Sequence, residues 1–362
     1  MSPDILLSST FAQVAVVTAS IVVILTFLLT IFAEKVNLMD IPTERKRHND
    51  MVPLVGGLAI YIVIIGSTIV LNFPEKINWI IFSTSVLVAV GVFDDAVGLS
   101  VGLRIVAQVT ASILVIFGAR LWVSSLGLEF WGIDNLPSWL GISFSVFAIV
   151  GLTNAFNMID GIDGLAAGQA LIAIASISVT LLLTEGSVYN SDWLLVLASS
   201  VFAFFLINLS ATPLKRVFLG DAGALMLGFI VALVLIYYTQ NPVDLMHPVA
   251  ALWCVTLPVF DTLVVIARRI KNRRSVFAPD RDHLHHLLTE IWRDQRLALL
   301  LILVASVGLN GCGIWITYVV SPLAGIVCFL IFLSMFAYVM LQPGIERSLG
   351  LKLDSRDDVI TD

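Results

Sequence analysis

The chain has 362 residues, of which 59% are hydrophobic and 13% are charged, and its formal net charge is −6 at pH 7. Soluble globular proteins carry about 25% charged residues, so this composition excludes a soluble globular protein and predicts an integral membrane protein. The apolar runs are continuous and do not alternate in polarity, which argues against a transmembrane β-barrel and favours helices.

About 11 apolar runs approach the roughly 20 residues that a helix needs to cross a bilayer. They lie near 11–33, 55–72, 79–93, 103–119, 139–156, 165–184, 192–210, 222–239, 248–267, 297–319 and 322–341. The predicted fold class is therefore an all-α polytopic membrane protein. We expect one integrated membrane domain over residues 1–341, with its active site on the cytoplasmic loops, and a short cytoplasmic tail over 342–362.

The basic residues predict the orientation. If the N-terminus is periplasmic, the inner loops are 34–54, 94–104, 157–164, 211–221 and 268–296, together with the tail from 342. These segments hold 18 of the 20 lysines and arginines, and Lys76 and Arg120 are the two that fall outside. By the positive-inside rule, this distribution predicts a periplasmic N-terminus and a cytoplasmic C-terminus.

Four polar residues follow the fifth apolar run at every third position, in the stretch NAFNMIDGIDGL: Asn154, Asn157, Asp160 and Asp163. On a continuous helix, a step of three residues turns about 300°, so the first and last would point in opposite directions. We therefore expect the helix to end here and open into a loop, which lets the four side chains converge. Helix capping and loop solvation are the alternative explanation.

Two further acidic sites lie on the same side of the membrane. Asp94 and Asp95 end the third run in VFDDAVGLS, and Asp221 precedes the eighth run in FLGDAGAL. Carboxylates near the ends of membrane helices are costly, and their usual explanation is a functional site with a partner. Clustered carboxylate and amide oxygens without a thiolate favour a hard cation, Mg²⁺ or Mn²⁺. Such an ion on a basic cytoplasmic face suggests phosphoryl transfer or a diphosphate substrate.

The last inner loop, 268–296, holds a histidine cluster, HLHH, with His283, His285 and His286. No carboxylate or thiol spacing supports a closed zinc site there. The imidazoles are suited instead to hydrogen bonds with phosphate oxygens.

Four motifs occur in order on the inner loops: DDAVGLS, NAFNMIDGIDGL, FLGDAG and PDRDHLHH. Together they resemble the motifs of the polyprenyl-phosphate N-acetylhexosamine-1-phosphate transferases, and RKRHNDMVPLVGG at 45–57 resembles that family's first inner loop. The resemblance implies transfer of N-acetylglucosamine-1-phosphate from UDP-N-acetylglucosamine to undecaprenyl phosphate, with release of UMP. It further implies Mg²⁺ or Mn²⁺ as cofactor, a bacterial inner-membrane location and a role in starting a surface glycan such as O-antigen.

The resemblance also implies residue roles. Asn157 and Asp221 would bind the metal, and Asp94, Asp95 and Asp160 would be catalytic, with Asp94 a base or a positioner for the lipid phosphate. Substrate binding would fall to a second group: Arg104 on phosphate, Asp163 and Phe218 on uracil, Asn154 in support, and His283, His285 and His286 along the nucleotide-sugar pocket.

Several alternatives stay open. The donor could be another UDP-amino sugar, and a phospho-muramoyl-pentapeptide transferase is related, although that family has three successive histidines where Leu284 interrupts this cluster. A transporter is a distant alternative, because five carboxylates lie at inner helix ends and not at mid-membrane: Asp94, Asp95, Asp160, Asp163 and Asp221. Asp261, within the ninth apolar run, is the exception, and its role stays open. We expect no nucleic-acid partner. The spacings Gly98–Gly102 and Gly164–Gly168 permit close helix packing within one chain or in a homo-oligomer.

Overall fold

The computed structural model describes residues 9–41, 51–129, 133–185, 192–240, 245–275 and 283–342. Most of these residues are helical. The α-helices are α1 (Ser9–Ala33), α2 (Gly56–Val70), α3 (Glu75–Val97), α4 (Val101–Gly118), α5 (Ser138–Ile159), α6 (Leu165–Glu185), α7 (Asp192–Asn208), α8 (Gly220–Thr239), α9 (Pro248–Trp253), α10 (Thr256–Lys271), α11 (Leu284–Trp292), α12 (Gln295–Trp315) and α13 (Pro322–Leu341). A 3-10 turn (Glu34–Val36) follows α1, and a π-helical turn (Ile316–Val320) extends α12.

Some predicted features lie outside the described residues. They are Arg45, Lys46 and Arg47, residues 279–282 of the last-loop motif including Arg281, and the tail from 343 to 362.

The prediction of an all-α membrane protein is confirmed. Among the described residues, eight helices are long and apolar enough to cross a membrane: α1, α3, α4, α5, α6, α8, α12 with its π-helical turn, and α13. Two more predicted spans, α2 and α7, are apolar but shorter. The predicted ninth span is not one continuous helix but is divided into α9 and α10.

Pro258 explains the division of the ninth span. A proline lacks the N–H group for the helical ladder, and its ring crowds the carbonyl four residues earlier, which here belongs to Cys254. The Cys254 carbonyl instead accepts a hydrogen bond of 3.0 Å from the Asn310 side chain on α12. A polar side chain from a neighbouring helix therefore satisfies the backbone at the break.

Two short antiparallel strand pairs also occur, which the sequence analysis did not predict. One joins β1 (Met39–Asp40) to β2 (Val52–Pro53), and the other joins β3 (Ser125–Leu128) to β4 (Ile133–Asn135). These strands of two to four residues are too short to show a clear alternation of polarity. The first pair joins the chain on either side of residues 42–50 and carries Asp40 to the site described below.

Helix α8 lies at the centre of the fold. Every residue of α8 except Asp221 is buried, as expected for a helix that is apolar on all sides. Glycines allow α2, α3 and α5 to approach closely: Gly57 lies against Gly223, Gly91 against Ala222, and Gly228 against the Leu152 backbone. The N-terminus of α8 is therefore held beside the ends of α3 and α5.

The two glycine spacings differ in their surroundings. Gly164 and Gly168 face side chains of the same chain, Leu299 and Leu303 among them, whereas an added Cβ at Gly98 or Gly102 would meet nothing within 4 Å. The Gly164–Gly168 spacing is therefore used for packing within the chain.

Candidate active site

A cavity of about 690 Å³ opens where α3 and α5 end and α8 begins. Acidic side chains dominate its described lining: Asp40, Asp94, Asp95, Asp160, Asp163, Asp221 and Glu290. Among the described lining residues, Arg216 is the one arginine or lysine, and His286 is the one histidine. The cavity is therefore predominantly acidic, and a bound cation would offset the repulsion between these carboxylates and a phosphate-bearing ligand.

Backbone hydrogen bonds connect two of the sequence motifs at this cavity. The Phe218 N–H donates to the Pro53 carbonyl (2.9 Å), and the Phe218 carbonyl accepts from the Gly56 N–H (3.0 Å). The Gly57 N–H donates to the Leu219 carbonyl at 2.9 Å. The end of the first predicted inner loop thus lies directly against the segment that leads into Asp221.

Asp95 supports the N-terminus of α8. Its carboxylate accepts hydrogen bonds from the backbone N–H groups of Asp221 (2.8 Å) and Ala222 (3.3 Å). These N–H groups lie in the first turn of the helix, where no intrahelical acceptor is available, and an anion there is favoured by the helix dipole. Asp95 lines the cavity as expected, and its contacts also fix the position of Asp221.

Asp94 points to different partners, as expected for adjacent helical residues that diverge by about 100°. One oxygen accepts from the Leu99 N–H at 2.6 Å, and the other lies 3.0 Å from an Arg104 guanidinium nitrogen. The same Arg104 nitrogen is 3.7 Å from the Asp221 carboxylate. Arg104 therefore connects Asp94 to Asp221 at the edge of the cavity.

Asn157 and Asp221 lie together, as the metal-site prediction requires. The Asn157 side-chain nitrogen donates to Asp221 Oδ1 at 2.7 Å. Within the described residues, no group of three or more histidine, cysteine or acidic side chains is arranged to hold a metal ion. The donor set fits Mg²⁺, which uses one or two carboxylates and completes its shell with water and substrate phosphate, and does not fit a closed zinc site.

The turn after α5 carries Asp160 and Asp163 into the cavity. There they line the same cavity as Asp95 and Asp221. Carboxylates brought together in this way repel one another, and a bound cation stabilises them.

Asp163 is held by an arginine that the sequence analysis did not assign to the site. Arg216 forms an ion pair of 2.7 Å with the Asp163 carboxylate, and its guanidinium lies 5.1 Å from the centre of the Phe218 ring. Both predicted uracil contacts, Asp163 and Phe218, therefore share Arg216. Its position two residues before Phe218, just ahead of the FLGDAG motif, is the sequence signal that could have identified it.

Asn154 is not brought to the cavity. Its amide nitrogen donates to the Gln108 side chain on α4 at 2.6 Å and to the Val150 carbonyl at 2.8 Å. Three of the four evenly spaced polar residues, Asn157, Asp160 and Asp163, line the cavity. The fourth lies one turn deeper in α5 and connects α5 to α4.

Asn208 also lines the cavity, although the sequence pattern did not predict it. Its side chain accepts from the Gly164 N–H at 2.5 Å and donates to the Val217 carbonyl at 2.9 Å. It therefore ties the Asp160–Asp163 turn to the segment before Asp221. A single asparagine at the end of an apolar run gave no distinctive pattern.

The three histidines of the last loop take different positions. His283 pairs with Asp261 at 2.7 Å, His285 is 2% exposed, and His286 lines the cavity. Among the described residues, neither ring nitrogen of His285 has a hydrogen-bond partner. Burial, followed by the charges of His286 and His283, lowers the pKa of His285 to about 2, so this ring is neutral at physiological pH.

The fold and the cavity define a multi-span membrane protein with a polar, acidic site at one end of its helices. The family profile described as glycosyl transferase family 4 matches residues 77–239, which include the Asp94, Asn157 and Asp221 motifs.

Named relatives extend the similarity over most of the chain. The chain is 33% identical over 288 residues to the undecaprenyl-phosphate alpha-N-acetylglucosaminyl 1-phosphate transferase of Escherichia coli strain K12, covering 79% of this chain and 78% of that protein. It is 32% identical over 284 residues to the Yersinia pestis protein of the same name, covering 78% of each. It is 29% identical over 324 residues to a probable undecaprenyl-phosphate N-acetylglucosaminyl 1-phosphate transferase of Bacillus subtilis strain 168, covering 84% of this chain and 88% of that protein. The chain belongs to glycosyl transferase family 4.

Proposed function

We propose that this protein transfers N-acetylglucosamine-1-phosphate from UDP-N-acetylglucosamine to undecaprenyl phosphate and releases UMP. The observation that carries the proposal is the convergence of three separate motifs, around Asp94, Asn157 and Asp221, on one acidic cavity at the helix ends. The named relatives support the same reaction. A lipid substrate reaches such a site from the membrane, and a nucleotide reaches it from water.

The proposed reaction exchanges one diphosphate linkage for another. An oxygen of the lipid phosphate attacks the β-phosphorus of the nucleotide sugar and forms a new P–O bond. The bond from this phosphorus to the oxygen shared with the α-phosphate breaks, and UMP leaves with that oxygen. Because the linkages are alike, the step is nearly balanced, and the protein's tasks are to position two substrates and to neutralise phosphate charge.

Asn157 and Asp221 are the residues we propose for Mg²⁺. When bound, the ion would neutralise part of the diphosphate charge that the carboxylates of the cavity would otherwise repel. Asp221 is suited to this role because it is the one residue of α8 that is not buried and its backbone is fixed by Asp95.

Arg104 and Arg216 are the cations that we propose for the phosphates and the nucleotide. Arg104 lies between Asp94 and Asp221, where a phosphate on the metal would come within its reach. Asp94 is already engaged with Arg104 and the Leu99 N–H, so we assign it a positioning role, since a lipid phosphate is largely ionised near neutral pH. Arg216 lies over the Phe218 ring, and both residues line the cavity, so we propose that together they bind the uracil.

We propose that the chain crosses the membrane 11 times, with the eight long helices, α2, α7 and the broken α9–α10 segment as the crossings. The positive-inside distribution supports a cavity on the cytoplasmic side of the bacterial inner membrane and an N-terminus in the periplasm, and we propose this orientation. Residues 1–341 would form one catalytic unit.

Product analysis tests the donor assignment. Purified protein in detergent, with undecaprenyl phosphate and Mg²⁺, is supplied in turn with UDP-N-acetylglucosamine, UDP-N-acetylgalactosamine and UDP-muramoyl-pentapeptide, and the lipid product is identified by mass spectrometry. We expect the lipid-diphosphate N-acetylglucosamine as the main product. A product from UDP-muramoyl-pentapeptide alone would contradict the proposal.

A further inference from the structure

Helix α11 separates the polar cavity from an apolar groove. One face presents His286, Thr289 and Glu290 to the cavity. The other presents leucines and an isoleucine to a groove that α10, α12 and α13 also line. A helix of nine residues has little stability of its own in water. Its position and its rotation about its own axis therefore depend on contacts with the rest of the protein.

Asp261 on α10 makes two hydrogen bonds to the beginning of α11. Its Oδ2 lies 2.7 Å from His283 Nδ1, and its Oδ1 accepts from the Leu284 N–H at 2.9 Å. His283 is the N-cap residue of α11, and its own side chain makes no capping hydrogen bond. Asp261 therefore supplies, from another helix, an acceptor for one of the first-turn N–H groups of α11, which have no acceptor within the helix.

The contact lies in an apolar environment. The side chains of Asp261 and His283 are 4% and 6% exposed, and Leu257 and Ile302 line the small cavity beside Asp261. Water screens such a pair weakly. Removal of the Asp261 carboxylate would take this buried acceptor away from His283 Nδ1 and from the Leu284 N–H, so the contact constrains the geometry more strongly than a surface cap would.

Side-chain packing extends the contact to the active-site turn. The His283 ring stacks on His285, with ring centres 5.7 Å apart and planes 13° apart. His285 in turn packs so closely on Gly161 that a Cβ at that position would collide with its ring. Gly161 lies in the turn that carries Asp160 and Asp163 into the cavity, so a shift at His283 would reach both α11 and this turn.

We infer that Asp261 is a positioning residue that sets the orientation of α11 and thereby places His286, Thr289 and the Asp160–Asp163 turn around the substrate. The substrate in this inference rests on the proposed transferase function, whereas the contact of Asp261 with the beginning of α11 does not depend on that function. Asp261 acts through His283 and Leu284 and not by touching the reacting atoms.

A labelling experiment tests the orientation without relying on activity. Thr289 is 4% exposed, so in a background with Cys254, Cys312 and Cys328 replaced by alanine, a Thr289→Cys substitution should react slowly with a charged maleimide. We expect Asp261→Ala to increase the labelling rate at least tenfold. Thr262→Val is the matched control, because Thr262 is the buried neighbour on α10 whose hydroxyl has no hydrogen-bond partner among the described residues.

Kinetics provide the second readout. We expect Asp261→Ala to raise the KM for UDP-N-acetylglucosamine about tenfold. Asp261→Asn should raise the KM less, because its oxygen still accepts from the Leu284 N–H. Thr262→Val should leave the KM unchanged. If Asp261→Ala does not fold, Asp261→Asn and His283→Gln replace it in the labelling experiment, with faster labelling expected in both.

The outcomes separate the two proposals. Labelling as slow in the Asp261 variants as in Thr262→Val would overturn the positioning role, whatever happens to activity. Faster labelling in a protein whose parent releases no UMP would retain the role of Asp261 and refute the transferase function.

Discussion

Gly220 is the position where one added methyl group should most directly disturb the active site. Its φ is +74°, a left-handed conformation that favours glycine. A Cβ at Gly220 would lie 2.5 Å from Asp95 Oδ2 and 3.2 Å from the carboxyl carbon. In Gly220→Ala the carboxylate must therefore retreat by roughly 1 Å to reach an ordinary contact distance.

Movement of the Asp95 carboxylate would weaken the hydrogen bonds that fix the N-terminus of α8. Asp95 accepts from the N–H groups of Asp221 and Ala222. The left-handed backbone costs alanine about 1–2 kcal/mol, and a hydrogen bond to a charged group contributes about 1.5–3 kcal/mol. A misplacement of about 1 Å at a catalytic group can reduce the rate about 100-fold. We expect Gly220→Ala to lower the initial rate of UMP release by about that factor, together with a lower melting temperature.

Two glycines provide matched controls for this experiment. Gly98 has a similar φ of +72° but would place its Cβ in open space, so Gly98→Ala carries the backbone cost without the collision. Gly66 lies in α2 with no atom within 4 Å of an added Cβ and no positive φ, so Gly66→Ala should leave the rate of UMP release unchanged. If Gly220→Ala is as active as Gly98→Ala, the reasoning about Asp95 and α8 is wrong.

Three further predictions follow from the site. Asp221→Ala, with an unchanged melting temperature, should lose at least 100-fold in UMP release because it would remove a proposed metal ligand, and retained activity would refute the metal role. Arg216→Ala should raise the KM for the nucleotide sugar about tenfold, because Asp163 and the proposed uracil site would lose their cation; an unchanged KM would contradict this assignment. The third prediction concerns pH. Burial lowers the pKa of His285 from 6.5 to about 2, so below pH 6.5 this side chain binds a proton in the unfolded state but not in the folded state. The free energy of unfolding therefore falls by about 1.4 kcal/mol for each pH unit below 6.5. In thermal melts between pH 7.5 and 5.5, His285→Gln should therefore lose less stability than the parent, whereas His286→Gln should lose as much as the parent; equal losses in all three proteins would refute the effect.

The membrane helices could be predicted from the sequence because long apolar runs have few alternative structures in a bilayer. The break at Cys254 and Val255 was missed because the apolar run continues through it. Pro258 marked the position, but a proline can either kink or interrupt a helix. Helix α11 was missed because it is short and follows a run of basic residues that favoured a loop.

The candidate site was only partly predictable. The positions of Asp94, Asp160 and Asp221 at the ends of apolar runs predicted a site, because a carboxylate there is costly without a partner, and all three line the cavity. Spacing alone could not separate Asn154 from Asn157, since the end of α5 decides which of them reaches the cavity. The roles of Arg216 and Asp261 depend on contacts that a local sequence pattern does not show. Arg216 contacts Asp163, which is 53 positions away, and Asp261 contacts His283, which is 22 positions away.

The most direct test of the account is UMP release by the purified protein with UDP-N-acetylglucosamine, while undecaprenyl phosphate and Mg²⁺ are each added or withheld. If the acidic cavity is a metal–diphosphate site for a lipid acceptor, UMP should appear only when both are present. Release without the lipid, release in the presence of a metal chelator, or no release from well-folded protein would contradict this account.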